Sequence, residues 1–425
     1  MEIFTEPGRA DWPAIMNRAR KDDAAIESTV RDILTAVRTG GDEAIRDLSL
    51  RIDGVAPASL EADPRERAAA ADAVPEALQA AIRTAAANIR TFHEAQRTAP
   101  VRVDTAPGVV CTQRSVPIRT VGLYVPGGSA PLFSTVLMLA VPAAVAGCRR
   151  VVLCTPPDRK GGVAPAILFA AGLCGVHQVF KIGGAQAVAA MAYGTATVPR
   201  CDKIFGPGNR YVMKAKQMVA SECTTIDLPA GPSEVMVLAD RTCVPAFVAA
   251  DLLSQAEHGP DSQVMLVCTD RETALRVDGC LQAQLEGLPR RDIARQALAG
   301  SRTVILADRN DVVDFANDYA PEHLIVALEN PREAADRILT AGSIFLGNWS
   351  CESAGDYASG TNHTLPTAGW ARACSGVNLD SFLRKTTCQE LSRAGLSALA
   401  PTLTAMAEAE GLRAHADAVR IRLES

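Results

Sequence analysis

The chain of 425 residues is poor in aromatic side chains, which make up 4% of it. Its core must therefore be built from Ala, Leu, Val and Ile, as in helix-rich α/β proteins. No apolar run reaches the ~18 residues that a membrane span needs. The N-terminus, MEIFTEPGRADW, lacks the basic-then-apolar order of a secretory signal. No basic stripe is present and the net charge is −5. Neither nucleic acid nor a membrane is thus an expected partner. The twelve cysteines stand singly between Cys111 and Cys388, with no CxxC pair. They read as reduced, mostly buried thiols of a cytoplasmic protein rather than a disulfide framework. No G-x-G-x-x-G and no Walker loop follows any strand-like run. Histidine is also scarce, at six residues.

What is there is α/β alternation. The first hundred residues have helical periodicity, with Val30, Ile33, Leu34 and Val37 on one stripe and Leu78, Ile82, Ile89 and Phe92 on another. Gly40 and Gly41 end the first of these helices. From about Cys111 short apolar runs such as VGLYV and VVLC alternate with helical segments as far as TTIDLPAG. A second alternation runs from EVMVLAD to SIFLGN. Each is the pattern of βα units on a parallel sheet. A stretch rich in Gly, Thr, Asn and Pro follows Asp356. From about Ser381 the pattern is helical again, in thin segments that bury little alone.

The histidines divide by context. His93 and His177 lie in plain amphipathic or linker surroundings and read as structural. In SQAEHG, Gln255 and His258 stand three apart near a helix end. That spacing suits two ligands of one metal; it equally suits a helix end with His258 at the C-terminal dipole and Gly259 as terminator. In APEHL, Glu322 and His323 are two bases aimed into one cleft, or an ordinary helix first turn with Pro321 at its start. In ESAGDYASGTNHTLPT, Asp356 and His363 offer oxygen and nitrogen from a tight polar loop of functional or mobile type. In AEAEGLRAH, Glu410 and His415 are two members of a solvated helix face when taken alone. Three Gly-rich turns, VPGGSAPLFS, KIGGAQAV and KIFGPGNRYV, pass from strand-like run to helix. They present backbone N–H groups and a helix N-terminus to phosphate.

VGLYVPGGSAPLFSTVLM, GGAQAVAAMAYGT, KIFGPGNRYVMKAKQMV, DLPAGPSEV, SQAEHGPDSQV, NDYAPEHL, FLGNWSCESAGDYASGTNHTLPT and AEGLRAH together resemble the histidinol dehydrogenase family, in the family's order and across nearly the whole chain. The resemblance implies two incomplete Rossmann-like domains, each a parallel sheet with helices on both faces, plus an N-terminal helical arm and a C-terminal helical tail. It places the arm at 1–21, a catalytic and metal domain at 22–123 plus 233–377, an NAD domain at 124–232 and the tail at 378–425. It implies one Zn2+ per subunit held by Gln255, His258, Asp356 and His415. Glu322 and His323 become the catalytic acid–base residues. Ser233, Gln255, His258, His323, Asp356, Glu410 and His415 become substrate contacts, and Tyr124, Gln186 and Asn209 become NAD contacts.

The implied activity is oxidation of L-histidinol through the aldehyde to L-histidine, with two NAD+ consumed, by a cytoplasmic homodimer in which each tail completes the other subunit's site. The residues suit that chemistry. An imidazole that titrates near neutrality can take the alcohol proton, and a carboxylate can activate the water that hydrates the aldehyde. A mixed N/O ligand set suits zinc as an orienting metal. No cysteine lies in the catalytic motif, which disfavours a thiohemiacetal route. A zinc hydrolase with Glu322 as base is the competing class, but it has no use for the Gly-rich turns.

Overall fold

A computed structural model describes residues 1–18, 24–127 and 131–424. Residues 19–21 of the expected arm and 128–130 of the first Gly-rich turn lie outside the described residues. The strands, in chain order, are β1 (Glu2–Thr5), β2 (Val101–Ala106), β3 (Val109–Pro117), β4 (Thr120–Tyr124), β5 (Arg150–Thr155), β6 (Gln178–Lys181), β7 (Lys203–Phe205), β8 (Thr225–Ile226), β9 (Glu234–Ala239), β10 (Gln263–Cys268), β11 (Arg302–Ile305), β12 (His323–Ala327), β13 (Ser343–Leu346) and β14 (Leu383–Leu391). By packing, the chain forms two units, 1–95 with 119–382 and 96–118 with 383–425.

The larger unit holds two all-parallel sheets. One has the order β6-β5-β4-β7-β8 and the other β1-β11-β10-β9-β12-β13. Leaving β1 aside, both follow one plan: the first strand is central, the second and third lie to one side, and the fourth and fifth to the other. The expected α/β class with two Rossmann-like sheets is thus the observed one. Central strands with both faces covered must be apolar throughout, and β4, β9 and β12 are buried at every position. The helix Gly184–Tyr193 is almost wholly apolar because it is enclosed by the first sheet and by the helix Ala24–Asp53.

Two segments differ from expectation. The N-terminal segment carries a strand ahead of its helical turns: β1 pairs in parallel with β11, and Trp12 and Ile15 sit in the core over Phe315 and Tyr319. Its helices are single turns, Arg9–Asp11 and Trp12–Ile15. The helices between 24 and 94 pack on the β4–β8 half, since Val30, Ile33, Leu34 and Val37 share a core with Val152, Phe180 and Val188. The sequence had grouped residues 22–123 with 233–377. The double glycine does end one helix, but a second begins at once: Gly41 (φ 55°) is a kink within Ala24–Asp53.

The smaller unit is a three-stranded antiparallel sheet, β14-β3-β2, followed by the helices Arg393–Ala409 and Arg413–Glu424. The tail is therefore not helical from Ser381. Nine residues, Leu383–Leu391, form a strand first. Gly395 is required where the chain turns back into helix, because a Cβ there would lie 2.3 Å from the Gly108 carbonyl oxygen. Among the described residues of this unit, the buried hydrophobic side chains are only Val109, Ile118 and Ala416. So small a core cannot hold a domain of this size by itself.

Candidate active site

The second sheet carries a cluster of ionisable groups at the amino ends of its neighbouring strands β9 and β12. The helix Arg309–Tyr319 stops at Ala320, whose φ of 54° turns the chain. Pro321 and Glu322 then lead into β12, which begins at His323. Of the two readings open for APEHL, a helix start is thus not the one realised. Glu322 and His323 are both buried, at 5% exposure each. The Glu322 carboxylate accepts from the Glu234 N–H at 2.8 Å, and His323 Nδ1 lies 3.1 Å from the Glu234 carbonyl oxygen. A carbonyl can only accept, so Nδ1 carries a hydrogen. Nε2 is buried without a hydrogen-bond partner. Asp356 Oδ1 stands 3.6 Å from it, too far for a hydrogen bond.

The loop after β13 supplies the rest. A short helix, Glu352–Tyr357, presents Glu352 and Asp356 on one face. Ligand atoms of His323, Glu352 and Asp356 lie within 4.8 Å of one another. Glu352 Oε1 is 3.7 Å from His323 Nδ1, and Glu352 Oε2 accepts from Ser254 Oγ at 3.3 Å. His363 Nδ1 donates to the Asp356 carbonyl at 3.0 Å. The loop is pinned across the unit by Asn362, which donates to the Met138 carbonyl at 2.6 Å. Gln255 closes the helix Pro245–Ala256, and His258 lies just beyond that helix, exposed on one side. The Gln255 amide is buried with both its oxygen and its nitrogen unpartnered.

Burial pushes the carboxyls of Glu322 and Glu352 up to about 8, despite the opposing pull of His323. His323 is moved up as well: desolvation opposes its charge, but Glu322, Glu352 and Asp356 outweigh it. Asp356 is held low, because contact with His323 and the nearby His363 and His258 overcome its desolvation. Desolvation lowers His258 and His363. Glu322 and Glu352 are thereby moved towards neutrality, where an acid–base group is most useful.

A divalent ion fits this chemistry. His323, Glu352 and Asp356 bring nitrogen and oxygen ligand atoms together in a mixed N/O set of the kind zinc accepts, and the Gln255 amide is buried without a partner. Glu410 and His415, the remaining members of the expected set, are exposed and belong to the smaller unit.

The expected NAD residues belong to the other sheet, at the carboxyl ends of its strands. Tyr124 ends β4, and its hydroxyl accepts from the Gly184 N–H at 3.0 Å; burial pushes its pKa up to about 12. Gln186 is fully buried, donates to Asp53 at 3.3 Å and has a partnerless Oε1. Asn209 caps the helix Arg210–Glu222 by accepting from Tyr211 N and Val212 N, each at 3.1 Å. The turn between β7 and that helix depends on Gly206 (φ 123°), where a Cβ would lie 2.1 Å from the Tyr124 carbonyl oxygen. A buried pair, Lys216 and Asp227 at 2.5 Å, grips both the carbonyl and the N–H of Gly206. The orphaned Gln186 oxygen and these helix N-termini fit a dinucleotide.

Sequence reasoning did not single out Glu352, Glu234, Arg18 or Asp53. Glu352 precedes Asp356 by one helical turn, a signal too common to stand out. Glu234 meets Glu322 and His323 through its main chain, which no residue type betrays.

Comparison with known proteins agrees across the chain. Residues 16–423 match the family described as histidinol dehydrogenase. The histidinol dehydrogenase of Bacteroides fragilis (strain YCH46) is 53% identical over 424 residues, covering 100% of this chain and 99% of its own. That of Escherichia coli (strain K12) is 52% identical over 413 residues, covering 97% and 94%. A solved histidinol dehydrogenase from Elizabethkingia anophelis superposes with a TM-score of 0.97 at 47% identity, covering 100% of this chain and 98% of that one. The chain belongs to the histidinol dehydrogenase family, a family of NAD-dependent oxidoreductases.

Proposed function

We propose that the protein oxidises L-histidinol through L-histidinaldehyde to L-histidine, the closing steps of histidine biosynthesis, at a site built on Glu322 and His323. The observation that carries this reading is the buried pair itself: one imidazole with a free Nε2 beside one carboxylate of raised pKa. His323 Nε2 takes the hydroxyl proton of the alcohol as the carbon-bound hydride leaves. Glu322 takes a proton from water as its oxygen adds to the aldehyde carbon, while His323 returns its proton to the aldehyde oxygen, which leaves the gem-diol and a free imidazole. His323 then takes a hydroxyl proton of the gem-diol as the second hydride leaves, and the acid remains. NAD+ supplies the acceptor for each hydride, held at the carboxyl edge of the first sheet near Tyr124, Gln186 and Asn209. Gln255, His258 and Asp356, with His415 of the partner subunit, would hold zinc, which would supply orientation of the substrate's imidazole and amine. Ser233 and Glu410 add substrate contacts. The domain roles follow: 124–232 for NAD, 233–377 for metal and chemistry.

The small core of 383–425 supports a homodimer in which Glu410 and His415 of the partner subunit complete each site. The twelve free thiols among the described residues, and the absence among them of any helix long and apolar enough to cross a membrane, support a cytoplasmic place.

Two NADH should form per histidinol, with no free aldehyde accumulating; one NADH with aldehyde as end product refutes the two-step reading. Co-expressed His258→Ala and His415→Ala chains should regain activity in roughly a quarter of all sites, as expected for random pairing under two-fold symmetry. Purified mixed dimers without activity refute the shared site.

A further inference from the structure

We propose that Arg18 and Glu234 are positioning residues of the catalytic pair: their buried ion pair fixes the strand residue whose main chain aims Glu322 and sets the tautomer of His323. The inference rests on the roles given above to Glu322 and His323, and extends them to two residues outside the sets proposed for substrate and metal.

Glu234 begins β9 beside Ser233, and both of its main-chain polar groups serve the pair, the N–H to Glu322 and the carbonyl to His323. A shift of this one residue therefore misdirects both bases together. Its side chain is 3% exposed and held from two sides. Arg18 donates Nε at 2.5 Å and Nη2 at 2.9 Å to its two carboxylate oxygens, and Ala368 donates its N–H at 3.0 Å. Arg18 also donates to the Tyr319 carbonyl at 2.9 Å and lies over the Tyr319 ring at 3.9 Å. Tyr319 precedes Glu322 by three residues. One guanidinium thus binds the start of β9 to the turn that opens β12, the two segments on which the bases stand.

Stability alone does not call for charge here. A buried ion pair gains little over apolar side chains of the same volume, because both charges lose their hydration. What the planar, two-point fork adds is direction. A displacement of about 1 Å in a catalytic group can cost ~100-fold in rate.

The test compares Arg18→Met, Arg18→Lys and Glu234→Gln as zinc-loaded proteins, with activity expressed per bound zinc. Arg18→Met should lower kcat for both histidinol and histidinaldehyde by about 10- to 100-fold, with both KM values and the zinc content unchanged. Arg18→Lys should recover part of the loss, and Glu234→Gln, nearly isosteric, should fall between them. In substrate-free protein labelled with 15N-histidine, the His323 signal (identified by its absence in His323→Ala) should show the Nδ1–H form in the native protein and a mixture in Arg18→Met. Full kcat per zinc with an unchanged tautomer overturns the proposal, even if the melting temperature falls. So does Arg18→Lys no better than Arg18→Met. If Arg18→Met does not fold, the same two readouts on Glu234→Gln and Arg18→Lys decide. A native enzyme inert toward histidinol would remove the substrate assignment and leave the tautomer result standing.

Discussion

The two parallel sheets of the larger unit share one strand order and use opposite edges. In the first, Tyr124, Gln186 and Asn209 stand where strands end and helices begin. In the second, Ser233, Glu322 and His323 stand where strands begin, next to the residues that follow the C-terminus of the helix Pro245–Ala256. The electrostatics of the two edges differ in sign. Helix N-termini present N–H groups and a partial positive charge, which suits phosphate; helix C-termini present carbonyls and a partial negative charge, which suits a cation. One topology therefore offers an anion edge and a cation edge. The proposed nucleotide lies on the first and the proposed metal on the second.

Variants at each edge should separate the two. The largest effect belongs to the second sheet. His323→Ala should slow both oxidation steps by about 1000-fold, within the usual range for a lost general base. Glu322→Gln should slow the aldehyde step by about 100-fold and spare the alcohol step, which uses no activated water. Separate single-turnover rates with supplied alcohol and aldehyde measure this, and equal losses in both steps would remove Glu322 from hydration. An intermediate effect belongs to the first sheet. Gly206→Ala must displace the Tyr124 carbonyl or the turn itself. The KM for NAD+ should rise by roughly tenfold, the order expected for ~1.4 kcal/mol of lost binding, with the zinc content unchanged. A fall in zinc occupancy instead would show that the edges are not independent.

The smallest effect concerns Asp251, behind the metal edge. Burial pushes its carboxyl up to about 6, although it accepts from the Glu352 N–H. A raised folded-state pKa means that the folded form holds the proton more tightly. The favourable contribution is then complete below about pH 4, the ordinary carboxylate value, and is lost as pH rises through about 6. Asp251→Asn keeps an acceptor and removes the charge. It should melt roughly 2–4 °C higher than the native protein at pH 8, with the gain shrinking below pH 6 and gone near pH 4. A constant difference across that range would assign the effect to packing.

The sequence showed the alternating sheets well because their strands are buried on both faces, which forces continuous apolar runs such as VMVLA and LIVA. It hid β14, where Arg384, Lys385, Thr386 and Gln389 break the pattern because the strand is largely exposed. It hid β1 for a similar reason: a four-residue edge strand with three exposed positions carries almost no periodicity. The ionisable side chains of the site were legible, because His, Glu and Asp in tight polar loops announce themselves and the family resemblance assigned their roles. The frame around them was not. Arg18 and Glu234 are 216 positions apart in the chain, and only the fold brings them together.

The parallel pairing of β1 with β11 joins Glu2 to Arg302, residues separated by 300 positions. Strands β9 to β13 can pair with one another soon after each leaves the ribosome. The first-made strand, by contrast, must wait until most of the chain exists. Closing so long a loop is slow rather than costly, since the entropic penalty grows only with the logarithm of its length. Until it closes, the free edge of β11 is open to pairing with another chain. The same closure brings Trp12 into the core and Arg18 to Glu234. The beginning of the chain thus acts as a latch: one closure covers the edge of β11 and brings Arg18 to Glu234.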